Sequence, residues 1–329
     1  MLNSLKQDAI IFVTNANFEL LGSITDGDIR RALIQGYKLE TLVTEIIQPN
    51  PKYIVSGKVD LKSLVQLRNS NYKIIPILDI EEKKIIDVLN FRFQHSILPI
   101  EVIIMAGGKG TRLLPLTEHI PKPLVKIQNK AIIEYQIDRL THFGINDCWI
   151  SVNHLSEKIV DFIEEKKFEK ISFSFLKESK PMGTIGSLNL INHFKKDTIL
   201  ICNSDILTNL DIESFYIDFI DSGADMSVLS IPYKIEIPYA IMESENGFVS
   251  SLDEKPTMTY FSNGGFYLIK TQMTKFIPKD SFFNATDLIE ALISCGKKVR
   301  TYTHYGYWND IGKHEDLIRA QSDLNNIEF

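Results

Sequence analysis

Met105-Ala106-Gly107-Gly108-Lys109-Gly110-Thr111-Arg112-Leu113-Leu114-Pro115-Leu116-Thr117 follows the apolar run Val102-Ile103-Ile104, and Pro121-Lys122-Pro123-Leu124-Val125 closes the stretch. An apolar run ending in glycines predicts a buried strand that feeds a loop. Three glycines without Cβ atoms let backbone N–H groups approach phosphate oxygens. Two familiar phosphate loops do not fit. A Walker loop needs a glycine, four residues and then Gly-Lys-Ser/Thr, a spacing absent here. A dinucleotide fingerprint needs a third small residue where Leu113 stands, and a helix where Pro115 forbids a long one. The glycines therefore open a long irregular loop, in which Arg112 and Lys122 place fixed positive charge.

Outward from the loop, short apolar strands alternate with amphipathic helices, which predicts an α/β sheet. Ile133, Ile137 and Leu140 fall at helical spacing, and Gly144 ends that helix. Cys148 to Val152 is the next strand, followed by a helix opening at Ser156. Ile171, Phe173 and Phe175 alternate with polar residues on a third strand. Thr198 to Cys202 makes another, ending at Asn203-Ser204-Asp205. This rhythm predicts a large domain over residues 99–329.

The residues ahead of it read differently. Ile10 to Asn15 parallels Ile75 to Ile80, and Leu20 to Thr25 parallels Ile85 to Asn90, each with an offset of 65. Each copy predicts strand, tight turn, strand, and the first continues into a helix over Asp26 to Gln35, with Asp26 or Asp28 supplying charge at its start. Ser96 to Ile100 links this smaller domain, residues 1–98, to the rest.

Composition bounds the function. The 329 residues suggest two domains. A 44% hydrophobic, 24% charged chain is neither disordered nor collagen-like. With 36 Lys and Arg against 42 Asp and Glu, the net charge of −6 argues against a nucleic-acid partner and confines any phosphate chemistry to a local basic pocket. Cys148, Cys202 and Cys295 are too few for a disulfide framework or zinc site, and their apolar surroundings predict burial. The start lacks a signal peptide and no window approaches 18 apolar residues, so a membrane is not expected and the cytoplasm is.

The glycine stretch closely resembles the signature of sugar-1-phosphate nucleotidyltransferases, the nucleotide-sugar pyrophosphorylases. The resemblance covers roughly residues 100–320. It implies that Gly107, Gly108, Gly110 and Thr111 cover a triphosphate, that Arg112 stabilises departing pyrophosphate, and that Lys122 is a phosphate ligand. Glu178-Ser179-Lys180-Pro181-Met182-Gly183-Thr184-Ile185-Gly186 resembles the family's second glycine segment, which places Glu178 and Gly183 beside base and ribose. Asp205 stands where the family has a Mg²⁺ ligand. Asp310 of Trp308-Asn309-Asp310-Ile311-Gly312 matches the second ligand, with Ile311 replacing the usual Thr. Asp253-Glu254-Lys255-Pro256 resembles the motif that contacts the sugar and its phosphate, and Asn263-Gly264-Gly265 a further sugar-side turn. Arg112, Lys122 and Lys255 are thus the expected catalytic cations, and Glu254, Asn263 and Gly264 the sugar contacts.

Each piece has an ordinary alternative. Asp205 and Asp310 are common turn or capping residues, Gly183 and Gly186 could open a helix, and Gly264-Gly265 could form a bulge. His119, His154, His304 and His314 lack paired-ligand spacing, and the Phe and Tyr residues are most simply core.

The resemblance implies in-line attack of a sugar-1-phosphate oxygen on the α-phosphorus of a nucleoside triphosphate, aided by Mg²⁺. Guanine presents adjacent N1–H and N2–H donors that one carboxylate accepts together, so Glu178 favours GTP. The N-terminal repeats resemble a tandem pair of CBS modules, in which Thr25 and Asp28 would hold an adenosine ribose. Asn90 and Phe93 break the pattern in the second copy, and the first copy is short, its leading strand expected ahead of Met1. A CBS pair before this domain resembles the bacterial glucosamine-1-phosphate guanylyltransferases that feed GDP-sugar routes to legionaminic acid. Mannose- and heptose-1-phosphate guanylyltransferases share the core motifs, and a non-catalytic nucleotide sensor is the alternative of another class. The expected architecture is an α/β, Rossmann-like mixed-sheet nucleotidyltransferase domain preceded by a smaller α+β CBS-pair module, with a homodimer compatible with such modules.

Overall fold

The computed structural model describes residues 10–81 and 83–325. The chain start, and any strand ahead of the first repeat, lie outside the described residues. The chain divides into two compact units: one ends at Leu98 and takes in His142–Gly144, and the other holds the remaining described residues.

The first unit comprises β1 (Ile10–Thr14), β2 (Leu20–Thr25), α1 (Asp26–Ile34), β3 (Gln48–Pro49), β4 (Ile54–Val55), α2 (Leu61–Asn69), β5 (Ile74–Leu78) and β6 (Ile85–Asn90). The two hairpins of the sequence repeat are present, but their register corrects the uniform offset. Thr14 pairs with Leu20 and Leu78 with Ile85, so the first strands correspond at 64 and the second at 65. The second hairpin carries the extra residue in its loop. The third strands also differ: β3 joins β2 antiparallel, whereas β4 joins β5 parallel. Leu64, Ile75 and Leu89 form the buried centre of the second copy with Ile54.

The second unit begins with β7 (Glu101–Met105), β8 (Lys126–Ile127), β9 (Lys130–Ala131), α3 (Ile132–His142), β10 (Asp147–Val152), α4 (Ser156–Lys166) and β11 (Ser172–Lys177). It continues through β12 (Thr198–Asn203), β13 (Ile206–Thr208), α5 (Ile212–Ser222), β14 (Met226–Glu236), β15 (Ile241–Glu245), β16 (Phe248–Asp253) and β17 (Thr257–Lys270). It closes with α6 (Ala285–Ser294), β18 (Val299–Thr303), β19 (Trp308–Asp310) and α7 (His314–Asp323). Seven strands form one mixed sheet in the order β11-β10-β7-β12-β17-β14-β18. The run Val102-Ile103-Ile104 is wholly buried at its centre, as expected of a strand covered on both faces.

Two expectations fail here. Cys295 is exposed, because it is the cap residue that ends α6 rather than part of its apolar face. The aromatic residues are not all core either. The far ends of β14 and β17 extend as a two-stranded ribbon, and Tyr233, Tyr260 and Phe261 stand exposed there, as does Phe248 on the β15–β16 hairpin. Among the described residues no helix is long and apolar enough to cross a membrane.

Candidate active site

Sheet topology locates the site before any side chain does. From β7 the chain steps outward to β10 and β11, then returns with β12 on the other flank of β7. The strand order reverses between β7 and β12, and open α/β sheets bind ligands beyond the carboxyl ends of strands at such a point. The glycine loop leaves β7 there, and Asn203-Ser204-Asp205 leaves β12, with the Ser204 N–H donating to the Met105 carbonyl at 3.1 Å. Between them lies a cleft of about 440 Å³, lined by Gly107, Gly108, Lys122, Glu178, Gly183 and Asp205 among the residues expected from sequence.

The loop is irregular, with only a short 3-10 turn over Thr111–Leu113 anchored by buried Leu113. Gly110 leads this turn at φ 63°, and a Cβ on it would stand 3.1 Å from both Lys122 Cβ and Thr117 Cγ2. A Cβ on Gly107 would lie 3.0 Å from Glu178 Oε1, whereas one on Gly108 would meet nothing within 4 Å. Gly107 and Gly110 therefore serve close packing, and Gly108 leaves backbone open to the cleft.

Asp205 and Asp310 lie far apart in sequence but converge. The antiparallel β13–β19 ladder pairs Ile206 with Asp310, and the Ile311 N–H donates to the Asp205 carbonyl at 2.9 Å. The Lys122 ammonium donates to Asp205 Oδ2 and lies 3.9 Å from Asp310 Oδ1. Burial first, then the Asp205 charge, push the Asp310 carboxyl above its usual pKa against the pull of Lys122 and Arg112. Arg112 reaches the same corner, its guanidinium 3.2 Å from where a Cβ on Gly312 would stand. Among the described residues, Asp205 Oδ1 and Asp310 Oδ1 are buried without a hydrogen-bond partner. Two carboxylates with unsatisfied oxygens at the edge of this cleft suit Mg²⁺, which takes oxygen ligands and completes its shell with phosphate and water. Among the described residues no group of three or more His, Cys, Asp or Glu side chains could hold a metal by itself.

Glu178 sits in the cleft with its carboxylate fixed. The Ser151 hydroxyl donates to Oε1 at 2.6 Å and the Met182 N–H to Oε2 at 3.1 Å. Each oxygen keeps a second lone-pair site for a ligand. The second glycine segment is stapled to residues 281–285: the Phe283 N–H donates to the Met182 carbonyl at 3.0 Å and the Ile185 N–H to the Phe283 carbonyl at 3.1 Å. Gly183 is obligatory there, at φ 77° with a Cβ position only 2.6 Å from the Phe283 carbonyl oxygen.

Other expected residues lie elsewhere. Thr111 and Arg112 are exposed on the loop and, like Gly110 and Asp310, are not part of the cleft lining, although the Arg112 guanidinium reaches the carboxylate corner. Glu254 and Lys255 stand exposed between β16 and β17, also outside it. The Asn263 side chain accepts from the Gly265 N–H at 2.9 Å, and the Gly264 carbonyl accepts from Trp308 Nε1 at 2.9 Å. These residues form a bulge opposite Leu229, with Gly265 at φ 71°. Thr25 and Asp28 form a capping box at the start of α1. Burial pushes the Asp28 carboxyl up, but hydrogen bonds from Thr25, Arg31 and Gln48 outweigh it and hold the pKa below its usual value.

Several site residues escaped sequence reasoning. Buried Gln136 on α3 donates to the Asn203 and Ile206 carbonyls at 2.6 and 3.0 Å, clamping the turn that carries Asp205. Phe282 and Asn284 line the cleft from the segment before α6. Asn284 was findable, since Asn-x-x-Asp before an apolar run is a capping-box signal. Gln136 was not, because a polar residue among apolar helix positions carries no sign of its distant partner.

The fold is an open α/β sheet with a cleft at its switch point. The nucleotidyl transferase family model matches residues 101–327, and the chain belongs to that family. It is 29% identical over 227 residues to mannose-1-phosphate guanyltransferase 2 of Candida glabrata, covering 66% of this chain and 62% of that protein. It is 27% identical over 240 residues to a UTP–glucose-1-phosphate uridylyltransferase of Synechocystis, covering 67% and 62%. The chain thus spans less than two thirds of these relatives. A solved Bacillus anthracis structure, described as a putative glucose-1-phosphate thymidylyltransferase in complex with a sucrose, shares the fold. It has a TM-score of 0.57 and 23% identity, covering 70% of this chain and 97% of that one.

Proposed function

We propose that this protein transfers GMP from GTP onto a sugar-1-phosphate, with glucosamine-1-phosphate as the first substrate to test and mannose- or heptose-1-phosphate as alternatives. The observation that carries this reading is the convergence of Asp205 and Asp310 around Lys122 at the mouth of the glycine loop. The sugar-phosphate oxygen is already an anion, so the attack on the α-phosphorus needs no general base. What the chain must do is align two polyanions and offset their charge. Gly107 and Gly108 open backbone donors to the triphosphate, and Lys122 and Arg112 offset charge on the departing pyrophosphate. Lys255 reaches the sugar phosphate in this reading only if its exposed loop approaches the cleft. A Mg²⁺ ion held by Asp205 and Asp310 supplies further charge neutralisation when bound.

The base preference rests on Glu178. Its two oxygens each accept one hydrogen bond, from Ser151 and from the Met182 N–H, and each can accept one more from guanine's N1–H and N2–H donors. Relatives named as mannose-1-phosphate guanyltransferases agree with this base, whereas the uridylyltransferase relative does not. One charge-assisted contact of this kind is worth about 1–3 kcal/mol. Glu178→Gln should reduce the GTP-over-UTP ratio of kcat/KM by roughly 5- to 150-fold on that basis. An unchanged ratio in competition assays would remove Glu178 from base selection.

In the first unit, we propose a CBS-type pair that holds an adenine nucleotide. A cleft of about 620 Å³ between its two halves supports this, with Tyr53 able to stack a base and Lys52 and Lys83 to meet phosphate. Thr25 and Asp28 do not line it.

A further inference from the structure

Two carboxylates that share a half-buried corner repel each other unless a cation stands with them. In this chain the cation is Lys122. Its ammonium bonds Asp205 Oδ2 and lies 3.9 Å from Asp310 Oδ1, and its side chain is only 10% exposed. Pro121 and Pro123 flank it and fix the local backbone, and the 3-10 turn Lys122–Leu124 holds its stem in place. The ammonium therefore leaves the carboxylates only by turning its own side chain.

The charge count is informative. Asp205 and Asp310 contribute two negative charges, Lys122 and Arg112 two positive ones, and Asp316 adds a more distant negative charge beside Asp310. These charges nearly cancel while Lys122 stays on the carboxylates, so a divalent cation arriving alone meets no net negative charge large enough to hold it against the two resident cations. One arriving with a triphosphate brings the anion that can draw Lys122 away and restore the balance. We propose that Lys122 is the resident counter-ion of the carboxylate pair, which suppresses divalent-metal binding until a triphosphate takes over the ammonium. This rests on the reading of Asp205 and Asp310 as metal ligands. Lys122 then has two positions, on the carboxylates before nucleotide arrives and on phosphate afterwards, and metal and triphosphate enter together.

Mn²⁺ binding to the full-length, nucleotide-free protein tests this without recourse to activity, with free Mn²⁺ followed by electron paramagnetic resonance. Lys122→Met and Lys122→Gln should each bind Mn²⁺ at least tenfold more tightly than wild type, and Lys122→Arg should not. Adding Asp205→Asn to the tighter variant should abolish the gain. The inference is overturned if neither neutral variant, each shown to be folded by circular dichroism, binds Mn²⁺ more tightly than wild type. A gain that survives Asp205→Asn places the metal elsewhere and sinks the metal-ligand reading instead.

Discussion

Glycines that look alike in the sequence do different work in the structure. Gly183 combines a left-handed backbone with a carbonyl 2.6 Å from its Cβ position, so no side chain fits without moving residues 281–285. Gly108 has an ordinary backbone and open space. Gly183→Ala should cost about 2–4 kcal/mol of stability, from left-handed strain and overpacking together. Gly108→Ala should leave stability within about 0.5 kcal/mol while weakening nucleotide binding. Denaturant midpoints and nucleotide titration of the two variants check both halves; equal stability losses would refute the distinction. The irregular glycine loop and the placement of Lys122 within it were legible from the glycine spacing and flanking prolines, whereas Asp205 was singled out only by the family resemblance. Gly265 in its bulge was legible only as one of two options, since its φ of 71° is a property of the paired strand.

Elements carry the site's precision. β13 and β19 are three residues each, too short to stand out by alternation, yet their pairing brings the two carboxylates together. The family resemblance could name Asp205 and Asp310, but their convergence depends on a ladder between segments about a hundred residues apart. Gln136 serves the same corner from α3, satisfying two backbone carbonyls of the turn. Gln136→Leu should cost about 1–3 kcal/mol for each carbonyl left buried and unpaired, while Gln136→Glu, which cannot donate when ionised, should do at least as much harm. Thermal unfolding with parallel Mn²⁺ titration checks this; wild-type stability in both variants would show that the clamp is unimportant. The β14–β17 ribbon and the β15–β16 hairpin defeated the simple rule that aromatic residues are core, because they project as single layers with no second face to cover them.

At the scale of the molecule, the change of rhythm near residue 98 was visible in sequence because local strand–turn–strand repeats give way to the longer βα period. The exact membership of the units was not, since His142–Gly144 joins the first through space. The first unit makes a prediction of its own. If its cleft takes an adenine nucleotide, millimolar AMP should raise the melting temperature of the full chain by a few degrees, as preferential binding to the folded state requires. Tyr53→Ala should remove the shift, and no shift in wild type would count against the nucleotide. The second unit sets Lys122 and Arg112 beside Asp205 and Asp310 at one corner of a chain whose net charge is −6. That corner is the centre of the functional account, and pyrophosphate release measures it most directly. Wild-type protein with Mg²⁺, each of four nucleoside triphosphates and a panel of sugar-1-phosphates should release pyrophosphate fastest with GTP, only when a sugar-1-phosphate is present, and not in Asp205→Asn. Absence of release with every pair, or release unaffected by Asp205→Asn, would contradict the account.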